Sequence, residues 1–315
     1  MELNEEYSGI TEALAEMVIE APPDWLRSSV FANALTRRRA KEPLRTTQPT
    51  GPVAGFIATI DQFRNILKGL DPQDWVRPLL SVGPGADTVD GWTIKDLVSH
   101  LIAIESYFGA AIGMAPWVAP EGTEADHRAM TMATIAEMHG HSYEVVFRTW
   151  NQRVAALRAR LEVLTVGELS QRTRLHSLHL PLHQILTIRT FEVWTHVEDV
   201  ARTIGLPPPG LDEGRLPAMT AFAVGLVPFG LALNQLPHSG KTARIVLTGI
   251  GGGAFDQALA WGEQAGEPDV VLIADAVDFC RLAAKRLFPC ELRHQGEGEV
   301  GLVADILVGC AVLAA

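Results

Sequence analysis

Four stretches of helical period, each closed by a break rich in Gly and Pro, follow one another between residues 53 and 204, and this restricts the chain more than any other feature. They run Phe56 to Leu70, Thr93 to Ile112, Arg128 to Leu164 and His183 to Ile204. Helices of that length joined by turns and longer crossings can bury one shared core, so the economical architecture is a four-helix bundle. The string Gly205-Leu206-Pro207-Pro208-Pro209-Gly210 stops the fourth helix sharply. Upstream, Pro43, Pro49, Gly51 and Pro52 mark a linker, with a new unit beginning near Val53.

The pattern changes after residue 210. An apolar helix near Leu216 to Leu233 precedes two strand-like runs, Ala243 to Thr248 and Asp269 to Ile273. Helical period returns in Asp275 to Arg286 and in Gly301 to Leu313. The whole therefore reads as mainly α: residues 1–52 an N-terminal helical extension and linker, 53–210 the bundle, 211–315 a small α+β domain. In the extension, residues 5–42 read as two short helices split at Pro22-Pro23, the second ending in the basic run Thr36 to Lys41, a solvated helix end.

Charge and cysteine usage exclude several classes of function. With 26 Lys and Arg against 37 Asp and Glu, the net charge of -11 argues against a nucleic-acid partner and against anionic membranes. Cys280, Cys290 and Cys310 are an odd number without CxxC spacing, which argues for a reducing compartment and against a zinc ribbon. The acidic start MELNEEYSGITEAL lacks the positive charge and apolar run of an export signal, so the cytoplasm is the expected location. The apolar runs Met219 to Leu233 and Val300 to Ala315 fall short of ~18 residues free of breakers or charge, Pro228 interrupting one and Asp305 the other, and read as buried helices.

Chemistry concentrates on the second and fourth helices. Glu192 and His196 lie four residues apart, about 40° apart around a helix axis, on a stripe shared with Ile185, Ile188 and Asp199. An ionised carboxylate on a face that points into a bundle is costly unless a cation meets it. Thr93-Ile94-Lys95-Asp96 has the form of a capping box, opening a helix with the apolar stripe Leu97, Leu101, Ile104 and Phe108. His100 lies at the edge of that stripe. If the two helices pack together, His100 can join Glu192 and His196 in a two-histidine, one-glutamate set that leaves a coordination position open, as catalytic zinc sites do.

The stretches Gly91-Trp92-Thr93-Ile94-Lys95-Asp96-Leu97-Val98-Ser99-His100-Leu101 and Arg189-Thr190-Phe191-Glu192-Val193-Trp194-Thr195-His196-Val197-Glu198-Asp199-Val200 together resemble the mycothiol-dependent maleylpyruvate isomerase family, within the DinB-like metalloenzyme superfamily. The resemblance covers about residues 53 to 205 and implies that His100, Glu192 and His196 ligate the metal, zinc or another divalent ion. It implies mycothiol as the thiol cofactor and an electrophilic small-molecule substrate. The reaction would be cis-trans isomerisation of a maleylpyruvate-like substrate or transfer of the thiol to an electrophile. Asp199 matches the acidic residue after the second histidine, either orienting an imidazole or standing as a solvated helix-end acid.

The region after residue 210 resembles the sterol-carrier-like domain that accompanies this bundle, in Leu247 to Gly253 and Asp275 to Leu282. An arginine of that domain serves the active site in the isomerase, which implies Arg281 or Arg286 here. Arg189, one turn before Glu192, could hold a substrate carboxylate or pair with Glu192. Other readings stand beside the enzyme: a non-enzymatic ligand-binding module with a structural metal, a thiol-independent metallohydrolase, or a ferrous oxygenase. Either a monomer or a homodimer is compatible.

Three competing constellations are weaker. His176, His179 and His183 lack a carboxylate at fixed helical spacing and Pro181 breaks the string, while His139 and His141 offer only a pair. Gly249-Ile250-Gly251-Gly252-Gly253-Ala254 has the GxGxxA form with Asp275 downstream, but only about 65 residues remain for a repeated βαβ setting, so a glycine turn between strand and helix is the better account.

Overall fold

The computed structural model describes residues 51–85, 89–114, 127–175, 178–211, 213–236 and 238–313. Most of these are helical, with two small sheets. The expected helices within residues 5–42, the basic run and most of the linker lie outside the described residues.

Helix α1 spans Pro52–Lys68, one residue earlier than the linker reading placed it, because proline at the first helical position gives up only an N–H that would be unpaired anyway. Its buried residues Phe56, Thr59, Ile60, Phe63 and Leu67 fall on one face. Helix α2, Ile94–Ala111, opens on the expected capping box, with Asp96 N–H donating to the Thr93 hydroxyl and Thr93 N–H donating to Asp96 at 3.0 Å. The third sequence pattern is two helices, α3 (His127–His139) and α4 (Tyr143–Glu162). Gly140, His141 and Ser142 separate them, and Ser142 in extended backbone starts α4. The apolar period runs on across this break, which is why it reads as continuous.

After a single-turn helix, α5 (Val166–Ser170), a hairpin of β1 (Arg172–Leu175) and β2 (Leu178–Pro181) leads into α6, Leu182–Thr203. Helix α1 packs on α6 and α4, and α2 on α3 and α4. The core among them holds Phe56, Phe63, Leu101, Phe108, Trp150, Ile185 and Val197, with Phe63 and Trp150 edge to face at 5.5 Å.

A second buried cluster gathers the rest of the chain. Helix α7 (Leu216–Leu233), helix α8 (Ala276–Ala283) and helix α9 (Val300–Cys310) cover a sheet of four strands: β3 (Thr242–Thr248), β4 (Gly253–Ala258), β5 (Val270–Asp275) and β6 (His294–Gly298). The strand order is β4-β3-β5-β6, with β3 and β5 parallel and both outer strands antiparallel to their neighbours. Phe191 and Trp194 of α6 belong to this second cluster, while Ile185, Leu186, Val193, Val197 and Val200 of the same helix belong to the first. One helix thus lends opposite faces to two cores.

Two readings need correction. Helix α7 has 18 residues and is long and apolar enough to cross a membrane by length and composition, contrary to the length argument; half of it is buried against the second cluster. The glycine run joins β3 to β4, a strand to a strand, rather than strand to helix. A Cβ on Gly251 would lie 2.6 Å from Leu216, and one on Gly252 2.1 Å from the Leu247 carbonyl oxygen; Gly251 also has φ +72°, so packing and backbone conformation together explain these glycines. Asp275 caps α8, accepting from the Val277 and Asp278 N–H groups, and does not face a nucleotide.

Candidate metal centre

Helix α2 carries His100 on its second turn, and α6 carries Glu192 and His196 one turn apart. One ligand atom from each lies within 4.8 Å of the others. His100 Nε2 is 3.3 Å from Glu192 Oε1, close to the roughly 3.4 Å between two ligands that each sit about 2.1 Å from one tetrahedral cation. The imidazole planes of His100 and His196 stand edge to face, centroids 5.6 Å apart. Trp92 packs against the His100 ring at 5.3 Å.

Both histidines are oriented from behind. His100 Nδ1 lies 3.2 Å from the hydroxyl of Thr131, buried on α3; with a cation bound, a proton donated there would leave the Nε2 lone pair free to ligate it. His196 is fully buried, and its Nδ1 is 3.6 Å from Asp199 Oδ2. Neither ring nitrogen of His196 has a hydrogen-bond partner among the described residues. A buried imidazole of this kind, beside a second imidazole and a carboxylate, has the donor chemistry of a two-histidine, one-carboxylate metal site, so the residues fit a divalent cation.

The electrostatics prepare the ligands in their metal-binding protonation states. Burial would raise the Glu192 pKa, but the Arg189 guanidinium and His100 outweigh it and hold the carboxyl well below its usual range. Burial pushes the His196 pKa down and the facing His100 adds to this, against the opposing pull of Asp199, so the ring is neutral and able to donate a lone pair. Asp199, itself buried, is kept ionised by His196 and Arg286 despite desolvation.

Arg189 is wholly buried and engaged by two carboxylates: Nη1 donates to Glu192 Oε2 and Nη2 to Glu105 Oε1, the latter at 2.8 Å. The structure shows its pairing with Glu192. Arg286 is buried and donates to Asp199 Oδ2 at 3.0 Å, which links the region after residue 210 to His196 through one carboxylate. Arg281 instead grips Glu198 at 2.8 Å and Asp278 at 2.8 Å on a partly exposed surface. The structure therefore brings Arg286, rather than Arg281, up to the centre.

Glu105 and Thr131 escaped the sequence reading. Glu105 interrupts the apolar stripe of α2, four residues after Leu101 and three before Phe108, and a charge in that position was a legible signal. Thr131 offered none. Of the competing histidines, His179 is exposed on β2, His183 Nδ1 lies against the Leu169 carbonyl, and the His139 and His141 carbonyls both accept from Lys95; His176 is outside the described residues.

Residues 87–201 match the family model described as the mycothiol maleylpyruvate isomerase N-terminal domain. That segment contains His100, Glu192 and His196, and the match bears out the resemblance read from the two motifs. Crystal structures of the mycothiol-dependent maleylpyruvate isomerase and of a mutant of it share the fold, each at TM-score 0.50 and 15% identity over 78% of this chain and 91% of that one. A colibactin self-resistance protein solved with double-stranded DNA aligns with 50% of this chain and 96% of its own at TM-score 0.36 and 16% identity, too distant to bear on function. No curated protein matches the chain by sequence.

Proposed function

We propose that the chain is a mycothiol-dependent metalloenzyme in which His100, Glu192 and His196 hold a divalent cation, zinc by ligand type. The observation that carries the reading is His196, fully buried with neither ring nitrogen hydrogen-bonded among the described residues and Nδ1 3.6 Å from Asp199, a few ångströms from a second imidazole and an ionised carboxylate. A cation held by three protein ligands supplies an open coordination position where a bound thiol loses its proton readily.

The protein's own residues do the rest. Thr131 and Asp199 fix the two rings, and Arg286 keeps Asp199 ionised and in place. Among the described residues no cysteine joins the cluster of His100, Glu192 and His196; Cys290 is exposed elsewhere on the chain. Cys280 and Cys310 are buried in α8 and α9, and desolvation pushes both pKa values up, so they stay protonated and inert. The thiol must come with a ligand, and the family match points to mycothiol, used either for cis-trans isomerisation of a maleylpyruvate-like substrate or for S-transfer to an electrophile. We read residues 53–210 as a DinB-like four-helix bundle, 211–315 as its sterol-carrier-like partner, and the cytoplasm as the location.

Replacing His196 with Ala tests the proposal. Metal content by elemental analysis and calorimetric titration with mycothiol should show that the variant loses the metal and, with it, thiol binding. A variant that keeps both overturns the reading, and metal retention without any thiol binding by the unmodified chain overturns its enzymatic part.

A further inference from the structure

The buried charges behind Glu192 have a geometry that neither the motif nor the fold explains. One guanidinium is divided between two carboxylates on different helices: Arg189 of α6 gives Nη1 to Glu192 and Nη2 to Glu105 of α2. Arg189 and Glu105 are both fully buried, so water cannot replace either partner. Glu192 is divided in turn. Its Oε2 is taken by Arg189, while Oε1 faces His100 Nε2 at 3.3 Å.

An arginine next to a lone carboxylate prefers to take both its oxygens with two parallel N–H bonds. Arg189 lies three residues before Glu192 on the same helix, near enough for such a clamp, which would withdraw Oε1 from the cation site. Glu105 occupies the second terminal nitrogen of the fork, at 2.8 Å. Arg153 of α4 adds positive charge close to Glu105, which helps keep it in this buried position although burial raises its pKa.

We propose that Glu105 is a positioning residue for the metal centre: by holding half of the Arg189 guanidinium, it restricts Arg189 to one oxygen of Glu192 and leaves the other for the cation. This rests on the metal reading given above. Helix α2 then contributes twice, a ligand at His100 and, five residues on, the anchor that frees a ligand of the opposite helix.

The test is zinc affinity of the full chain, measured by competition with a chromophoric chelator, with circular dichroism confirming the fold and the visible spectrum of the cobalt-loaded protein reporting coordination. Glu105→Ala should weaken zinc binding by about 10- to 100-fold, the range seen when groups behind metal ligands are removed. Adding Arg189→Met to that variant should recover most of the lost affinity, because Glu192 is then released from the clamp. Glu105→Gln, whose amide oxygen still accepts from Arg189, should lose only a few-fold and serves if the alanine variant does not fold. Unchanged affinity in both Glu105 variants, or a double variant no better than Glu105→Ala, overturns the inference. Failure of the unmodified chain to bind zinc or cobalt overturns the metal reading first, and this one with it.

Discussion

Glu198 and Asp199 are neighbours on α6, and each is held by an arginine from beyond residue 210, yet the two pairs differ in almost every physical respect. The Arg281 side chain is 30% exposed and fully used, bonding Glu198 and Asp278. That of Arg286 is 1% exposed and bonds Asp199 alone among described acids, with Nε and Nη1 lacking hydrogen-bond partners. The first joins a partly exposed arginine to a buried carboxylate. The second is a buried charge whose partner touches His196. Both carboxylates are buried, so the arginine end makes the difference: water screens the Arg281 head, whereas it reaches neither Arg286 nor Asp199, and Asp199 lies 3.6 Å from His196.

The sharpest way to break this contrast is to remove each arginine. Arg286→Met should destabilise the chain by about 3 kcal/mol or more in urea unfolding, since it leaves Asp199 in the interior with Arg202 at 3.4 Å and the neutral His196 ring at 3.6 Å. The same variant should weaken zinc binding at least tenfold, as Asp199 loses its hold behind His196. Arg281→Ala should cost about 1–3 kcal/mol, because it leaves the buried Glu198 carboxylate without its guanidinium, and should leave zinc affinity within error, because this pair is not the one that stands behind His196. Equal effects from the two variants would erase the distinction.

A smaller effect lies in the pH dependence of the metal-free protein. His196 has a lowered pKa when folded, so the unfolded chain binds its proton more readily. Its contribution is complete above the ordinary histidine value of about 6.5 and is lost as pH falls from there toward the folded value. The thermal midpoint should therefore drop between pH 7 and pH 5, and His196→Gln should flatten that slope. Glu192 and Asp199, both lowered, act in the same direction but only below the ordinary carboxylate range of about 4. Glu105 acts oppositely, its raised pKa favouring the folded state at low pH and losing that contribution as pH rises through the folded value.

The parts of this molecule that the sequence made legible are those where burial imposes a period. The capping box set the register of α2 and so placed His100, and the four-residue spacing put Glu192 and His196 on one face of α6. The buried strands β3 and β5 stood out as apolar runs, whereas β6, His-Gln-Gly-Glu-Gly, is an exposed edge strand with no apolar face to display. Strand β4 is the other edge, with two of its six residues exposed and one buried. The split between α3 and α4 was hidden for the converse reason, a hydrophobic period that continues across a turn. Choosing between Arg281 and Arg286 required knowing which of them reaches Asp199, the acid on the Glu192–His196 stripe, and that depends on a tertiary contact a helical wheel does not contain.

The double allegiance of α6 has a kinetic corollary. A helix whose opposite faces complete two separate cores cannot open by local fraying of either one, so its central amides belong to the last cooperative unit of the molecule to melt. Native-state hydrogen exchange should find the amides from Val193 to Val200 exchanging only through global unfolding, slower than those of α5 or the β1–β2 hairpin. Evolutionary drift in either half is then read out through the same two turns of backbone, which also carry Asp199 and the second histidine.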